Sequence, residues 1–319
     1  MKKILLGLII FLMITPVLQA GGNLEDKIVQ FAEYNSKRYL QPLVTAFGTN
    51  LNTGFYHTAK VLPPFRFGVT VSGMLSFVPS SEKTFTALSP TVEYDGDIYY
   101  LYDPSEIETA TVFGNQGATF TGLNPQLEPY EEFSDVENLK LPNGGKLDLV
   151  PLLTPQINVG LPYGNEIMIR AFPTYQVSED TGEISFWGIG LKHSIDQYLP
   201  GIIPIDLAIQ GVYQHIRITD LLTFNSFAFN AEVSKKLAAW TFYGGLQYEH
   251  CEMKAKYDYE YHDYYTDTDE VSEIAYSIEG ENQFRATAGV RFSFLLFKIF
   301  TDYTLSQYQV LHAGIGLSF

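Results

Sequence analysis

Nine ionisable side chains fall on the small or polar face of segments whose other face is apolar: Arg66, Arg170, Lys192, Asp206, Glu232, Arg285, Arg291, Asp302 and His312. Both signs turned toward one narrow space make either a charged constriction or docking surface, or a ladder of mutually satisfied pairs, since buried charges must be paired. A second cluster runs from Tyr257 to Glu273, where tyrosines alternate with acids. Asp263, Asp267 and Asp269 are the oxygens there that could hold a hard cation. The same density of acids also keeps an outer loop hydrated, and its tyrosines could meet a glycan or a protein. Without a spaced ligand loop and its glycine, neither a metal nor any other cofactor is expected.

Hydrolytic chemistry lacks its parts. The histidines, at 57, 193, 215, 250, 262 and 312, are scattered, and no serine sits in a Gly-x-Ser-x-Gly context. Phosphate loops and Cys/His metal spacings are missing too. The expectation is a protein that is not an enzyme.

The elements that must position these charges alternate with period two. In Phe284–Phe294 one face reads Phe284, Ala286, Ala288, Val290, Phe292 and Phe294, and the other carries Arg285 and Arg291. Turning two arginines to lipid at mid-depth would cost about 2–4 kcal/mol each, so the apolar face must be the outer one. Leu311, Ala313, Ile315, Leu317 and Phe319 likewise oppose His312, Gly314, Gly316 and Ser318. Phe67, Val69 and Val71 oppose Thr70 and Ser72, and Phe227, Phe229 and Val233 oppose Ser226, Asn230 and Glu232.

Composition selects the kind of sheet. Of 319 residues, 46% are hydrophobic and 15% aromatic but only 18% charged, against about 25% charged in the average soluble chain. A secreted β-sandwich would also alternate, but its outward polar faces would carry more lysine than these Gly-, Ser- and Thr-rich ones. Beyond residue 20 no apolar run reaches the roughly 20 residues of a spanning helix, so a membrane crossing must use strands closed into a barrel. The net charge of −16 argues against nucleic acid as a partner.

Lys2-Lys3, an apolar run from Ile4 to Leu18 and then Gln19-Ala20-Gly21 read as a signal peptide cleaved after Ala20. The single Cys251 can form no intramolecular disulfide. The expected plan is residues 1–20 as signal peptide, 21–60 as a helical, plug-like segment, and 61–319 as an all-β, antiparallel transmembrane barrel. Ten strands are predicted, at 64–78, 148–162, 165–175, 183–193, 203–217, 222–235, 237–257, 274–294, 296–305 and 308–319. Twelve would follow if a hairpin around Tyr94-Asp95-Gly96-Asp97 lay in the wall. The long connections, 79–147 and 258–273, then all fall on the outer side and the short turns, such as Lys235-Lys236 and Leu295-Leu296, on the periplasmic side.

Before the first strand, residues 24–40 have Leu24, Ile28 and Phe31 at helical spacing, and Pro42 is expected to stop the helix. The turn-rich stretch that follows contains Asn50 and Asn52. This segment is a plug within the lumen or, alternatively, a periplasmic cap or linker.

The stretches "FGTNLNTGFYHTAK", "SFWGIGLKHSIDQYLPG", "IDLAIQGVYQ" and "HAGIGLSF" resemble a family of outer-membrane proteins from Bacteroidota. The plan of helix plus barrel is distantly similar to the outer-membrane long-chain fatty-acid and hydrocarbon transporters. That second resemblance implies fourteen strands, an N-terminal plug and apolar cargo leaving sideways through the wall. The last strand, ending on Phe319, resembles the signature read by the barrel-assembly machinery. The expected location is the outer membrane, in contact with its lipid. The expected function is passive transport of small apolar molecules through a plugged barrel; the alternative is a surface protein that displays its outer loops without transport.

Overall fold

The computed structural model describes residues 33–133, 136–178, 182–199, 204–218, 222–263 and 268–319. The expected signal peptide and Leu24, Ile28 and Phe31 lie outside the described residues.

Among the described residues the chain forms one α-helix, α1 (Glu33–Leu51), and then β1 (Phe67–Phe77). Six short strands follow: β2 (Thr84–Leu88), β3 (Thr91–Tyr94), β4 (Asp97–Tyr100), β5 (Glu106–Ala110), β6 (Thr119–Phe120) and β7 (Leu139–Lys140). Then come the long strands β8 (Leu149–Leu161), β9 (Asn165–Ser178), β10 (Gly182–Ser194), β11 (Asp206–Ile218), β12 (Leu222–Leu237) and β13 (Trp240–Asp263). The series ends with β14 (Thr268–Glu279), β15 (Phe284–Phe294), β16 (Phe297–Leu305) and β17 (Val310–Ser318).

Antiparallel pairing runs β12–β11–β10–β9–β8–β1–β17–β16–β15–β13, and β13 also pairs with β12, so the sheet closes on itself. Closure removes the edges of the ring of strands, which is what lipid demands of a strand-built crossing; β14 keeps one, since among the described residues it pairs only with β13. Strands β14 and β15 share one position in the wall. The first part of β13, Trp240–Tyr248, pairs with β15, and the second, Glu252–Asp263, pairs with β14. Between them Gly280 N still donates to Cys251 O (2.7 Å) and Glu249 N to Gln283 O (2.8 Å). The wall therefore has ten positions, as the alternation predicts, and not the fourteen that the transporter resemblance implies.

Four expectations are corrected by these pairings. The hairpin at Asp95-Gly96 exists as β3–β4, turning through φ of 53° and 84°, the geometry of a type I′ turn, but it forms its own two-stranded sheet outside the wall. The predicted long loop 258–273 is largely strand: Tyr259, Tyr261 and their neighbours extend β13 against β14, since aromatic alternation favours extended backbone. The turn before β13 lies at Ala238-Ala239, with Ala238 at φ 55°, because Lys235 and Lys236 still pair with Phe242 and Thr241. Finally, α1 runs through Pro42 to Leu51. Its last turns bury Val44, Ala46, Phe47 and Leu51, and that packing outweighs the hydrogen bond a proline removes.

The outward faces of the wall carry exposed apolar side chains at every second position, among them Val69, Ile169, Leu191, Phe229, Leu246 and Ile315. Aromatic residues flank this belt near the short turns, where the Phe67 and Phe319 rings lie 5.2 Å apart and Trp240 and Phe292 4.9 Å apart. Others, including Trp187, Tyr213, Phe227 and Tyr248, lie higher on the strands. An apolar band between aromatic girdles is the surface a bilayer solvates. Water would not tolerate so continuous a patch.

Contacts divide the described chain into two units. The barrel unit holds Val44–Phe77 and Leu149–Phe319, and the second holds Val78–Asp148 with the part of α1 up to Leu43. The second unit has an ordinary core of Ala87, Tyr102, Phe120 and Leu141, with the Tyr102 and Phe120 rings stacked at 5.5 Å. Within it Asn35 exchanges two hydrogen bonds with the backbone of Leu88 (2.8 and 2.9 Å), and Tyr39 Oη donates to Asn143 O at 2.9 Å. Burial pushes the Tyr39 hydroxyl up to about 12.

Candidate functional site: the barrel interior

Alternation sends every second wall residue inward, and there they meet residues 44–60 as well as each other. The helix approaches β13 so closely that a Cβ on Gly48 would stand 2.6 Å from Cys251 Cβ. Beyond Leu51 the chain turns at Gly54, whose φ of 73° suits glycine and whose missing side chain leaves room for the His312 ring. It then descends along the inside of the barrel toward the short turns.

The helix end is held by wall arginines. Arg170, from β9, donates to Leu51 O (3.1 Å), Thr53 O (2.9 Å) and Gln156 Oε1 (2.8 Å), and its guanidinium lies 4.5 Å from the centre of the Phe55 ring. The final carbonyls of a helix have no partners within it and carry its negative dipole end, so a buried cation there satisfies both. Arg285, from β15, donates to Thr49 O (3.0 Å) and Thr53 Oγ1 (2.5 Å) and pairs with the Glu249 carboxylate. Gln214 donates to Leu51 O (2.8 Å), Gln247 to Asn52 O (2.9 Å), Ser226 to Asn52 Oδ1 (2.5 Å), and Asn50 to Val150 O (2.6 Å).

Lower down, Gln156 donates to Phe55 O (3.0 Å), Lys192 to Thr58 O (2.5 Å), and Ser234 Oγ accepts from Ala59 N (3.0 Å). Lys192 also pairs with Glu232 at 2.7 Å. Arg291 donates to His57 Nδ1 (2.9 Å) and Thr241 Oγ1 (3.0 Å). Asp302 accepts from Tyr243 Oη (2.7 Å) and His312 Nδ1 (2.5 Å).

Of the nine charges expected inside, Arg170, Lys192, Glu232, Arg285, Arg291, Asp302 and His312 are buried and brought together around residues 44–60. Asp206 is half-buried at the start of β11 and accepts from Ser234 Oγ (3.1 Å). Arg66 is a correction: it keeps the inward parity but precedes β1 and is exposed, in a turn where its N bonds Pro63 O at 3.1 Å. Asn50 and Asn52 are buried. The side chains of Asp263, Asp267 and Asp269 lie outside the described residues, and among the described residues no group of acids, histidines or cysteines is placed to hold a metal.

Sequence reasoning passed over Glu249, Gln247 and Glu166. The signal for the first two was present, since Leu246 and Tyr248 are outward and so set Gln247 and Glu249 inward. At the turn end a cavity of about 170 Å³ remains, lined by Phe55, His57, Leu62, Lys192, Arg291 and Lys298 among others.

Comparison with solved structures gives overlap with outer-membrane barrels at low superposition. The chain is similar to OmpT, an outer membrane protein of Vibrio cholerae, at 10% identity over 79% of this chain and 98% of that one, with a TM-score of 0.25. It is similar to a BenF-like porin from Pseudomonas fluorescens Pf-5 at 8% identity (80% and 97% covered, TM-score 0.19) and to Pseudomonas aeruginosa OpdO at 10% (82% and 99%, TM-score 0.20). Superpositions this loose carry no functional argument, and the barrel assignment rests on the chain's own pairings. No curated protein matches the sequence. A family model matches residues 1–319 from end to end, and the chain belongs to that family, the "Family of unknown function (DUF6588)".

Proposed function

We propose that the protein is a sealed outer-membrane barrel that anchors the folded unit Val78–Asp148 on the outer side of the membrane. It would be exported by the signal peptide, handed to the assembly machinery through the strand ending on Phe319, and carry no catalytic activity. The observation that carries this reading is the filling of the interior. Residues 44–60 are hydrogen-bonded to inward groups on β8, β9, β10, β11, β12, β13 and β15, two of them buried arginines holding a helix end. Ten positions in the wall leave an interior slightly wider than the eight that side chains alone can fill, and one internal segment suits that width.

Planar-bilayer conductance tests it. The intact protein is expected to give no steady current steps, and deletion of residues 21–60 is expected to create them. Equal conductance of the two proteins would end the sealed-barrel reading.

The cavity at the turn end favours a second reading, in which small apolar molecules pass when residues 44–60 shift. Uptake of such a molecule into liposomes by the intact protein, lost when residue 58 is disulfide-bonded to residue 234, would establish it over the first.

A further inference from the structure

We propose that the turn-end cavity binds a small organic carboxylate, its head held by Arg291 and Lys298 and its apolar body lying against Phe55, Leu62 and Pro63. The cavity is built from the barrel unit alone. Four cations, Lys60, Lys192, Arg291 and Lys298, and one anion, Glu166, line it.

The anions near it are already engaged. Glu166 accepts from Asn158 Nδ2 (2.7 Å) and Leu62 N (2.8 Å), and Glu232 balances Lys192. Arg291 is 9% exposed; its two terminal nitrogens go to His57 and Thr241, and its Nε meets no acceptor. Lys298 donates to Leu295 O at 3.1 Å. Among the described residues neither Arg291 nor Lys298 makes an ion pair within 4.0 Å; Asp206 acts on Arg291 from farther off and accepts from Ser234. A buried guanidinium without a carboxylate in contact is costly, so a bound anion would complete this arrangement.

The walls decide which anion. Beside Thr58, Thr70, Gln156, Asn158 and Ser318 the lining carries Phe55, Val61, Leu62 and Pro63, and a strongly hydrated inorganic anion would lose water against these four without return, whereas an alkyl chain gains. About 170 Å³ is close to the ~150 Å³ of an apolar cavity that takes up benzene. A carboxylate bearing five or so carbons fits both the charge and the room.

The experiment is isothermal titration of hexanoate, hexanol and inorganic phosphate into the intact protein in nanodiscs, with empty nanodiscs subtracted. Hexanoate is expected to bind about tenfold more tightly than hexanol, the usual worth of one charge-assisted contact. Lys298→Gln, at a side chain near the surface, is expected to weaken hexanoate by about fivefold or more and leave hexanol unchanged. Arg291→Gln is expected to weaken it further, provided its barrel still shows heat-modifiable gel mobility; Lys298→Gln decides the matter if it does not. Equal binding of hexanol and hexanoate, phosphate binding as tight as hexanoate, or a Lys298→Gln protein that binds like the parent would each overturn the proposal. The measurement is at equilibrium, so its failure is separate from any failure of the sealed-barrel reading, which conductance tests.

Discussion

The barrel interior and the unit Val78–Asp148 differ in how much of their buried contact is polar. Inside the barrel Arg170 is among the largest fully buried side chains, and contacts of arginine to carbonyl, arginine to glutamate and amide to carbonyl run beside a small apolar cluster of Phe55, Met168, Val212 and Ala228. In the second unit Ala87, Tyr102, Phe120 and Leu141 form an apolar core of the kind found in water-soluble domains. The difference follows from which face is given to the surroundings. A wall that turns one apolar face to lipid keeps its polar groups for the inside, where they sit beside buried apolar ones such as Met168 and Val212, whereas a segment surrounded by water keeps its apolar groups for itself. The two regions should therefore fail differently.

The largest effect is expected at Glu249. Glu249→Leu leaves Arg285 buried without its carboxylate, at a cost of about 3–5 kcal/mol, read as a lower temperature of the heat-modified gel shift. Replacing Arg285 together with Glu249 by apolar residues should recover part of the loss, which a simple packing defect would not. In the other region Phe120→Ala should cost about 3 kcal/mol of that unit's stability, seen as faster proteolysis within residues 78–148 while the barrel's gel shift stays put. If both variants lowered the barrel transition equally, the contrast between the two regions would be broken.

Smaller effects sharpen it. Gly48→Ala places a Cβ against Cys251 and should lower barrel stability by about 2 kcal/mol, with Cys251→Ala restoring part of it in the double variant. Gly96→Ala, at φ 84° in the β3–β4 turn, should cost about 1 kcal/mol in the second unit alone. Hydrogen exchange at Thr91–Tyr100 would report it, with no change in the barrel strands.

The wall was legible because its rule is simple. With lipid on one side and polar groups on the other, a period of two marks each strand, and Phe284–Phe294 carried both the alternation and the arginines that set its direction. Pro42 misled because local propensity forbids what burial of Phe47 and Leu51 enforces. Acidic composition misled at 258–273, where tyrosines at alternate positions had marked strand. The partners of the inner charges could not be read at all. Inward parity places Arg170 on a face, but only the fold brings the end of α1 to it, from a segment more than a hundred residues away in the chain.

The central claim is that residues 44–60 sit inside the barrel, and a cysteine pair tests it most directly. Thr58 Oγ1 and Ser234 Oγ are 3.0 Å apart, so Thr58→Cys with Ser234→Cys, in a Cys251→Ala background, puts two sulfurs where those oxygens stand. Mild oxidation of the folded protein is expected to close the disulfide nearly completely and speed the denatured chain on a non-reducing gel. Two thiols that stay free and react with a maleimide in the folded protein would contradict the account.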